Sequence, residues 1–229
     1  MFPTACSGRG KTRPKAVIKG LYAITPEQSD TQLLLRQVRA ALAGGASVLQ
    51  YRGKSQDVAL LHEQASELLA LCHEFRVPLI VNDSLRLADL SGADGLHLGR
   101  EDDSLRQARI VLGAEKVIGV SCYDSLDLAL EAQAGGADYV AFGSFFPSPT
   151  KPRAVAAPLS LLRDARRQLD IPIVAIGGIT VENAPALIEA GADAVAVISG
   201  LFDAPDIRLA AQQYSQLFSS PENPGRWLH

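Results

Sequence analysis

Leu21-Tyr22-Ala23-Ile24-Thr25-Pro26-Glu27-Gln28 is the stretch that decides the fold. It holds the first apolar, strand-like run of the chain and the turn that follows it. In a doubly wound α/β sheet the first strand runs into a Gly-rich phosphate loop. Here that turn reads Thr-Pro-Glu-Gln, which argues against such a sheet at its signature position. Outward from this point one theme repeats, a short apolar run followed by a helical pattern. The candidate strands are Leu21–Thr25, Ser47–Tyr51, Pro78–Val81, Gly95–Leu98, Val117–Ser121, Tyr139–Gly143, Ile173–Ile176 and Ala194–Ile198. All are nearly continuous in apolar character, as parallel strands buried on both faces should be. Eight strand–helix units in one series predict an α/β fold, a single-domain (β/α)8 TIM barrel.

The intervening segments are amphipathic. Thr31–Ala43 places Leu34, Leu35, Val38 and Leu42 on one face, and Val58–His73 does so with Leu61, Ala65, Leu68, Leu69 and Cys72. Asp30, Ser55, Asp124 and Thr180 are the expected N-caps. A phrase recurs where each helix gives way to the next strand: Gly44-Gly45-Ala46, Gly92-Ala93-Asp94, Gly135-Gly136-Ala137-Asp138 and Gly191-Ala192-Asp193. Glycine there stops the helix and alanine permits a tight entry to the sheet, so the phrase is structural punctuation.

Composition bounds the function classes. A chain of 229 residues with 47% hydrophobic and 21% charged residues suits an ordinary globular protein. A net charge of −3 gives no electrostatic case for nucleic acid or an anionic membrane, and small-molecule substrates are the expected partners. No apolar run approaches the roughly 18 residues of a spanning helix. Cys6, Cys72 and Cys122 are too scattered for a disulfide framework or metal motif, which predicts a reducing cytoplasm. Residues 1–19 are basic through Arg9, Lys11, Arg13, Lys15 and Lys19, but lack a signal peptide's apolar segment. They are expected to be a disordered extension, residues 20–218 the barrel, and residues 219–229 a loose tail.

In such barrels the reacting groups come from the C-terminal strand ends. Those ends carry Tyr22, Gln50, Arg52, Lys54, Asn82, Asp83, His97, Asp102, Ser121, Ser148, Thr150, Lys151, Gly178 and Ser199. If the second strand stays extended, Gln50, Arg52 and Lys54 share a face and form a grip for a phosphate or diphosphate; otherwise they are a charged loop. Asp83 and Asp102 lie on neighbouring loops and offer hard oxygen ligands of the kind that hold Mg2+ with water and phosphate oxygens. Each has a plainer reading, Asp83 as a helix N-cap and Asp102 as charge at a helix N-terminus. His97, inside Leu96-His97-Leu98, is a core histidine or at most a substrate contact. The long loop Ser144–Pro158 reads as a lid whose Lys151 faces phosphate or solvent. Gly177-Gly178 after the seventh strand and Ser199-Gly200 after the eighth expose backbone N–H groups, a second anion site.

Six of these motifs together resemble the thiamine-phosphate synthase family. They are Gln50-Tyr51-Arg52-Gly53-Lys54, Val81-Asn82-Asp83, Leu96-His97-Leu98-Gly99-Arg100-Glu101-Asp102, Ser148-Pro149-Thr150-Lys151, Ala175-Ile176-Gly177-Gly178-Ile179 and Val195-Ala196-Val197-Ile198-Ser199. They occur in family order across Lys19 to Phe218. The resemblance implies a transferase that joins a pyrimidine diphosphate to a thiazole phosphate, giving thiamine monophosphate and diphosphate in thiamine biosynthesis. It implies Mg2+ on Asp83 and Asp102. It assigns the pyrimidine or diphosphate side to Gln50, Arg52, Lys54, Asn82, Ser121 and Lys151, and the thiazole side to Ser148, Thr150, Gly178, Ile198 and Ser199. Tyr22 and His97 are added as substrate contacts. Tyr51 and Ser148 depart from the usual pattern, which often has a smaller or other apolar residue and a threonine. A thiazole tautomerase of the same superfamily would not need the diphosphate grip or the carboxylates. A non-catalytic phosphate-binding barrel would show gaps in the set, and another phosphosugar barrel enzyme would usually carry a general acid–base within its strands. The sequence is also compatible with a homo-oligomer.

Overall fold

The structure is a computed structural model, and it describes residues 16–147 and 157–219. Within them the chain alternates strand and helix. The order is β1 (Gly20–Ile24), α1 (Thr31–Ala43), β2 (Val48–Tyr51), α2 (Val58–Glu74), β3 (Leu79–Asn82), α3 (Leu85–Ser91), β4 (Gly95–Leu98) and α4 (Leu105–Leu112). It continues β5 (Val117–Tyr123), α5 (Leu126–Ala134), β6 (Tyr139–Phe142), α6 (Leu159–Gln168), β7 (Ile173–Ile176) and α7 (Ala184–Ala190). It ends β8 (Ala194–Val197), α8 (Ser199–Phe202) and α9 (Ile207–Gln216). The strands are all parallel and close into a barrel, β8 pairing with β1 through Gly20–Ala194 to Ala23–Val197. The expected (β/α)8 barrel is therefore the observed one. No helix of the described residues is long and apolar enough to cross a membrane.

The helix starts follow side-chain capping, with three corrections. Asp30 caps α1 as expected, accepting from Leu33 N at 2.9 Å. Asp57, not Ser55, caps α2, while the Ser55 hydroxyl accepts from Asp57 N and shapes the turn before it. Ser125, not Asp124, caps α5. Asn183 occupies the position expected for Thr180, and its Oδ1 accepts from Thr180 N. In each case the turn after the strand runs one to three residues longer than expected before the helix begins.

The strands bury two separate cores, as their period of two requires. One lies between sheet and helices and includes Leu21, Leu49, Leu79, Leu96, Val140 and Val195. The other fills the barrel interior with Tyr22, Ile24, Val48, Ile80, Val117, Tyr139, Val174 and Ala196. Ile18, within the span expected to be an extension, belongs to this inner core at 2% exposure. Interior positions become polar toward the C-terminal ends: Val48 gives way to Gln50, Ile80 to Asn82, and Val117 to Ser121. The barrel is thus filled by apolar side chains at one end and lined by polar ones at the other.

The Asp of the recurring Gly-Ala-Asp phrase does more than mark a turn. Asp94 accepts from Leu79 N at 3.0 Å and pairs with His73. Asp138 accepts from Ile118 N at 2.8 Å and pairs with Arg109. Asp193 accepts from Ile173 N at 2.8 Å and pairs with Arg166. Each carboxylate therefore stitches the start of one strand to the start of the next and collects a basic side chain from a helix. In the first unit Ser47 takes this place and donates to the carbonyls of Lys19 and Leu21.

Candidate active site

The loop after β1 holds the end of β2. Thr25, fully buried, donates its N–H to Gln50 O at 2.9 Å and accepts Arg52 N–H on its hydroxyl at 2.9 Å. The backbones of Gln50 and Arg52 are thus both fixed by one residue, through its N–H and its hydroxyl. β2 ends at Tyr51, so strand alternation covers Gln50 but not Arg52 and Lys54, which lie in the loop. The expectation of a single extended face does not hold to Lys54. Arg52 is half-buried and its charge acts on Asp83, while Lys54 is exposed beside Gly53. Tyr51, noted as a departure, points to the helix layer and donates its hydroxyl to Gln64 Oε1 at 2.7 Å. Gln64 in turn donates to Gln28 O at 2.9 Å, so Tyr51 braces the first two loops together.

The third and fourth strands supply the carboxylates. Asp83 leaves β3 with φ of 62°, a left-handed conformation that Asp tolerates better than bulky residues. Its N–H donates to His97 O at 2.8 Å. Ser84 takes over the cap of α3, accepting from Leu87 N at 3.1 Å, so the Asp83 carboxyl is not spent on capping. It comes within hydrogen-bonding reach of Asp102 instead. Asp102 does not cap a helix either, since Ser104 caps α4. Its Oδ2 accepts Gly99 N–H at 2.6 Å, which holds the β4–α4 loop in a tight turn. Two acids this close disfavour each other's ionisation. Burial, and then the charge and hydrogen bond of Asp102, push the Asp83 carboxyl up from 3.8 to about 6, against the opposite pull of Arg52 and Asn82.

Below the mouth the interior polar groups are linked. Gln50 Nε2 donates to the Tyr22 hydroxyl at 3.0 Å, and the Tyr22 and Tyr139 hydroxyls are 2.7 Å apart. Tyr139 stacks on His97 at 5.5 Å between centroids, its hydroxyl 2.9 Å from Nδ1. Nε2 of His97 lies 2.9 Å from Ser121 Oγ, just before the bulge between Ser121 and Tyr123. Sequence reasoning did not single out Tyr139. Its signal was Gly119, which pairs with it in the β5–β6 register. A Cβ on Gly119 would stand 2.0 Å from the Tyr139 ring, so the glycine makes room for it.

On the opposite wall, Gly178 has φ of 62°, and a Cβ there would meet Pro147 O at 2.3 Å. The glycine lets the loop after β6 lie directly on the loop after β7. Asn183 Nδ2 fixes Gly178 O at 3.0 Å. Ile198 and Ser199 lead into the short α8, whose first N–H groups have no partner within the helix. Ser148, Thr150 and Lys151 lie outside the described residues, as does Cys6. The structure thus gathers Gln50, Arg52, Asn82, Asp83, His97, Asp102 and Ser121 on one side and Gly178, Ile198 and Ser199 on the other. A cavity of about 480 Å³ opens between α4 and α5, lined by Gly99, Arg100, Leu105, Ser121, Tyr123 and Leu128. Ser121 is the residue it shares with the site, and neither Asp83 nor Asp102 lines it. Cys122 is buried among packing residues.

Among the described residues no cluster of three or more His, Cys, Asp or Glu gathers as a metal cage. Two carboxylates with a guanidinium beside them suit a hard cation that completes its shell from water and a phosphorylated ligand.

Comparison with known proteins adds the family. Residues 21–201 match the family described as thiamine monophosphate synthase. The chain is 63% identical over 201 residues to the thiamine-phosphate synthase of Thiobacillus denitrificans, covering 88% of this chain and 95% of that protein. It is 54% identical over 208 residues to that of Nitrosococcus oceani, covering 89% and 94%. Among solved structures it is similar to thiamine phosphate pyrophosphorylase from Pyrococcus furiosus, with TM-score 0.77 and 36% identity, covering 87% and 95%.

Proposed function

The chain belongs to the thiamine-phosphate synthase family and is a transferase, and from that premise we propose how its residues divide the reaction. The substrates are 4-amino-2-methyl-5-(hydroxymethyl)pyrimidine diphosphate and 4-methyl-5-(2-phosphoethyl)thiazole, and the products are thiamine monophosphate and diphosphate. The observation that carries this reading is the Asp83–Asp102 pair at the mouth, with Arg52 in electrostatic reach. A tautomerase acting on the thiazole alone has no use for such a pair.

Asp83 and Asp102 would hold Mg2+, their oxygens being the hard donors it favours. When bound, Mg2+ offsets the negative charge that grows on the departing diphosphate. Arg52 and Lys54 serve the same leaving group from the β2 side, and Lys151 does so from the lid. Departure of diphosphate from the pyrimidine CH2 leaves a cation conjugated with the ring. Gln50, Asn82 and Ser121 orient that ring over the interior polar chain, with Tyr22 and His97 beneath it. The thiazole phosphate is held by the backbone around Gly178, Ile198 and Ser199, with Ser148 and Thr150 from the lid. That placement sets the thiazole nitrogen for attack on the CH2 carbon, a positioning effect. No protein nucleophile is consumed. The same reading places the enzyme in the cytoplasm.

The test is incubation with both substrates and Mg2+. Equimolar thiamine monophosphate and diphosphate are expected. Interconversion of thiazole isomers without diphosphate release would favour the tautomerase instead.

A further inference from the structure

Gln50, Tyr22, Tyr139, His97 and Ser121 form one continuous hydrogen-bonded chain through the barrel interior. It crosses between strands β2, β1, β6, β4 and β5, far apart in sequence. Such a chain has a direction, because each phenol has one proton to give. Tyr22 and Tyr139 are 1% and 0% exposed, and burial holds both hydroxyls well above the ordinary value of 10, so both are neutral phenols.

The direction starts at Gln50, whose amide N–H donates to the Tyr22 oxygen. Tyr22 then gives its own proton to Tyr139, its remaining hydrogen-bonding neighbour among the described residues. Were Tyr22 to accept from both sides, its proton would be left unpaired in a buried position, a costly arrangement. Tyr139, having accepted, donates to His97 Nδ1, and the imidazole keeps its proton on Nε2. That N–H donates to Ser121 Oγ. Ser121 is half-exposed at the strand end, so its own proton is turned to whatever occupies the mouth.

We infer that this relay, polarised by Gln50, fixes His97 as the Nε2–H tautomer and makes Ser121 a hydrogen-bond donor to the bound substrate, with Tyr139 as a positioning residue. Gly119 is part of the device, since the Tyr139 ring occupies the space of its missing side chain. The inference rests on the synthase reading only for what Ser121 donates to, an acceptor atom on the heteroaromatic substrate.

The tautomer is read directly from full-length protein labelled with 15N-histidine, using long-range proton–nitrogen correlation spectra and a His97→Gln difference spectrum for assignment. The expected pattern is protonated Nε2 and unprotonated Nδ1 in the absence of substrate. An Nδ1–H tautomer, which a reversed Gln50 amide would impose by reversing every bond, overturns the relay, as does a doubly protonated ring. Kinetics give the second arm. Tyr139→Phe keeps the ring on His97 and over Gly119 but removes the hydroxyl, and should lower kcat on the order of tenfold with little change in KM. In a Ser121→Ala background the same change should cost nothing further. Additive losses would overturn the claim that Tyr139 acts through Ser121. If Tyr139→Phe does not fold, Tyr22→Phe breaks the same chain one link earlier and carries the same expectation. Because the tautomer is read without substrate, absence of thiamine monophosphate would count against the proposed reaction, and a wrong tautomer against the relay.

Discussion

The carboxyl groups of Asp83 and Asp102 lie within hydrogen-bonding reach of each other across the loops after β3 and β4. Neither caps the helix that follows it, because Ser84 and Ser104 do so. Two acids freed from helix capping and brought together have a net cost that a cation between them would relieve.

The first prediction concerns pH. Asp83 titrates at about 6 in the fold against an ordinary 3.8, so the folded protein holds this proton more tightly than the unfolded chain. Its stabilising contribution is complete below about pH 4 and lost as pH rises through about 6. Asp83→Asn should therefore match the wild type in acid and be the more stable protein at pH 8 in chelator. Added Mg2+ should stabilise the wild type at pH 8 but not at pH 5, and should leave the variant unmoved. Thermal melts at the two pH values, with chelator and with Mg2+, check each sign.

A second prediction separates stitching carboxylates from decorative ion pairs. Asp138 satisfies Ile118 N and pairs with Arg109, which also reaches the carbonyls of Lys116 and Gly136. Asp138→Ala should cost about 2–4 kcal/mol of stability, since it strands a strand N–H and takes the counter-charge from a mostly buried guanidinium. Arg39 and Glu74 are 55% and 56% exposed, and Arg39→Ala should cost less than about 1 kcal/mol. Urea unfolding of the two variants measures the contrast.

A third concerns the opposite wall. Gly178→Ala forces a side chain into a left-handed position and against Pro147 O. It should cost about 1–3 kcal/mol and raise KM for the thiazole phosphate more than for the pyrimidine diphosphate. Equal changes in both KM values would mean that Gly178 serves the fold alone.

The barrel was legible because strands buried on both faces leave continuous apolar runs, and Gly95–Leu98 and Ile173–Ile176 were bounded to the residue. Caps were harder: Ser55 and Asp57 are both good cap residues, and only the length of the turn decides between them. The pairing of Asp83 with Asp102 depends on the left-handed turn at Asp83, which residue type permits without requiring. Tyr22 reads as a substrate contact and Tyr139 as an apolar strand residue, because a phenol inside an apolar run looks like core. Their hydroxyls meet only once the barrel closes, and a glycine in register with a tyrosine was the one written trace. The stitching role of Asp94, Asp138 and Asp193 was hidden for a related reason, since their partners start the neighbouring strands.

The central claim is that the carboxylate pair and the cations beside it remove the diphosphate. The most direct measurement is Mg2+-dependent diphosphate release, with both substrates present, by wild type and by Asp102→Ala at matched folded concentration. The wild type should release diphosphate only with Mg2+, and Asp102→Ala should lose at least about 10²-fold in rate while its unfolding transition stays cooperative. Release that persists in chelator, or an Asp102→Ala protein as fast as the wild type, would contradict the account.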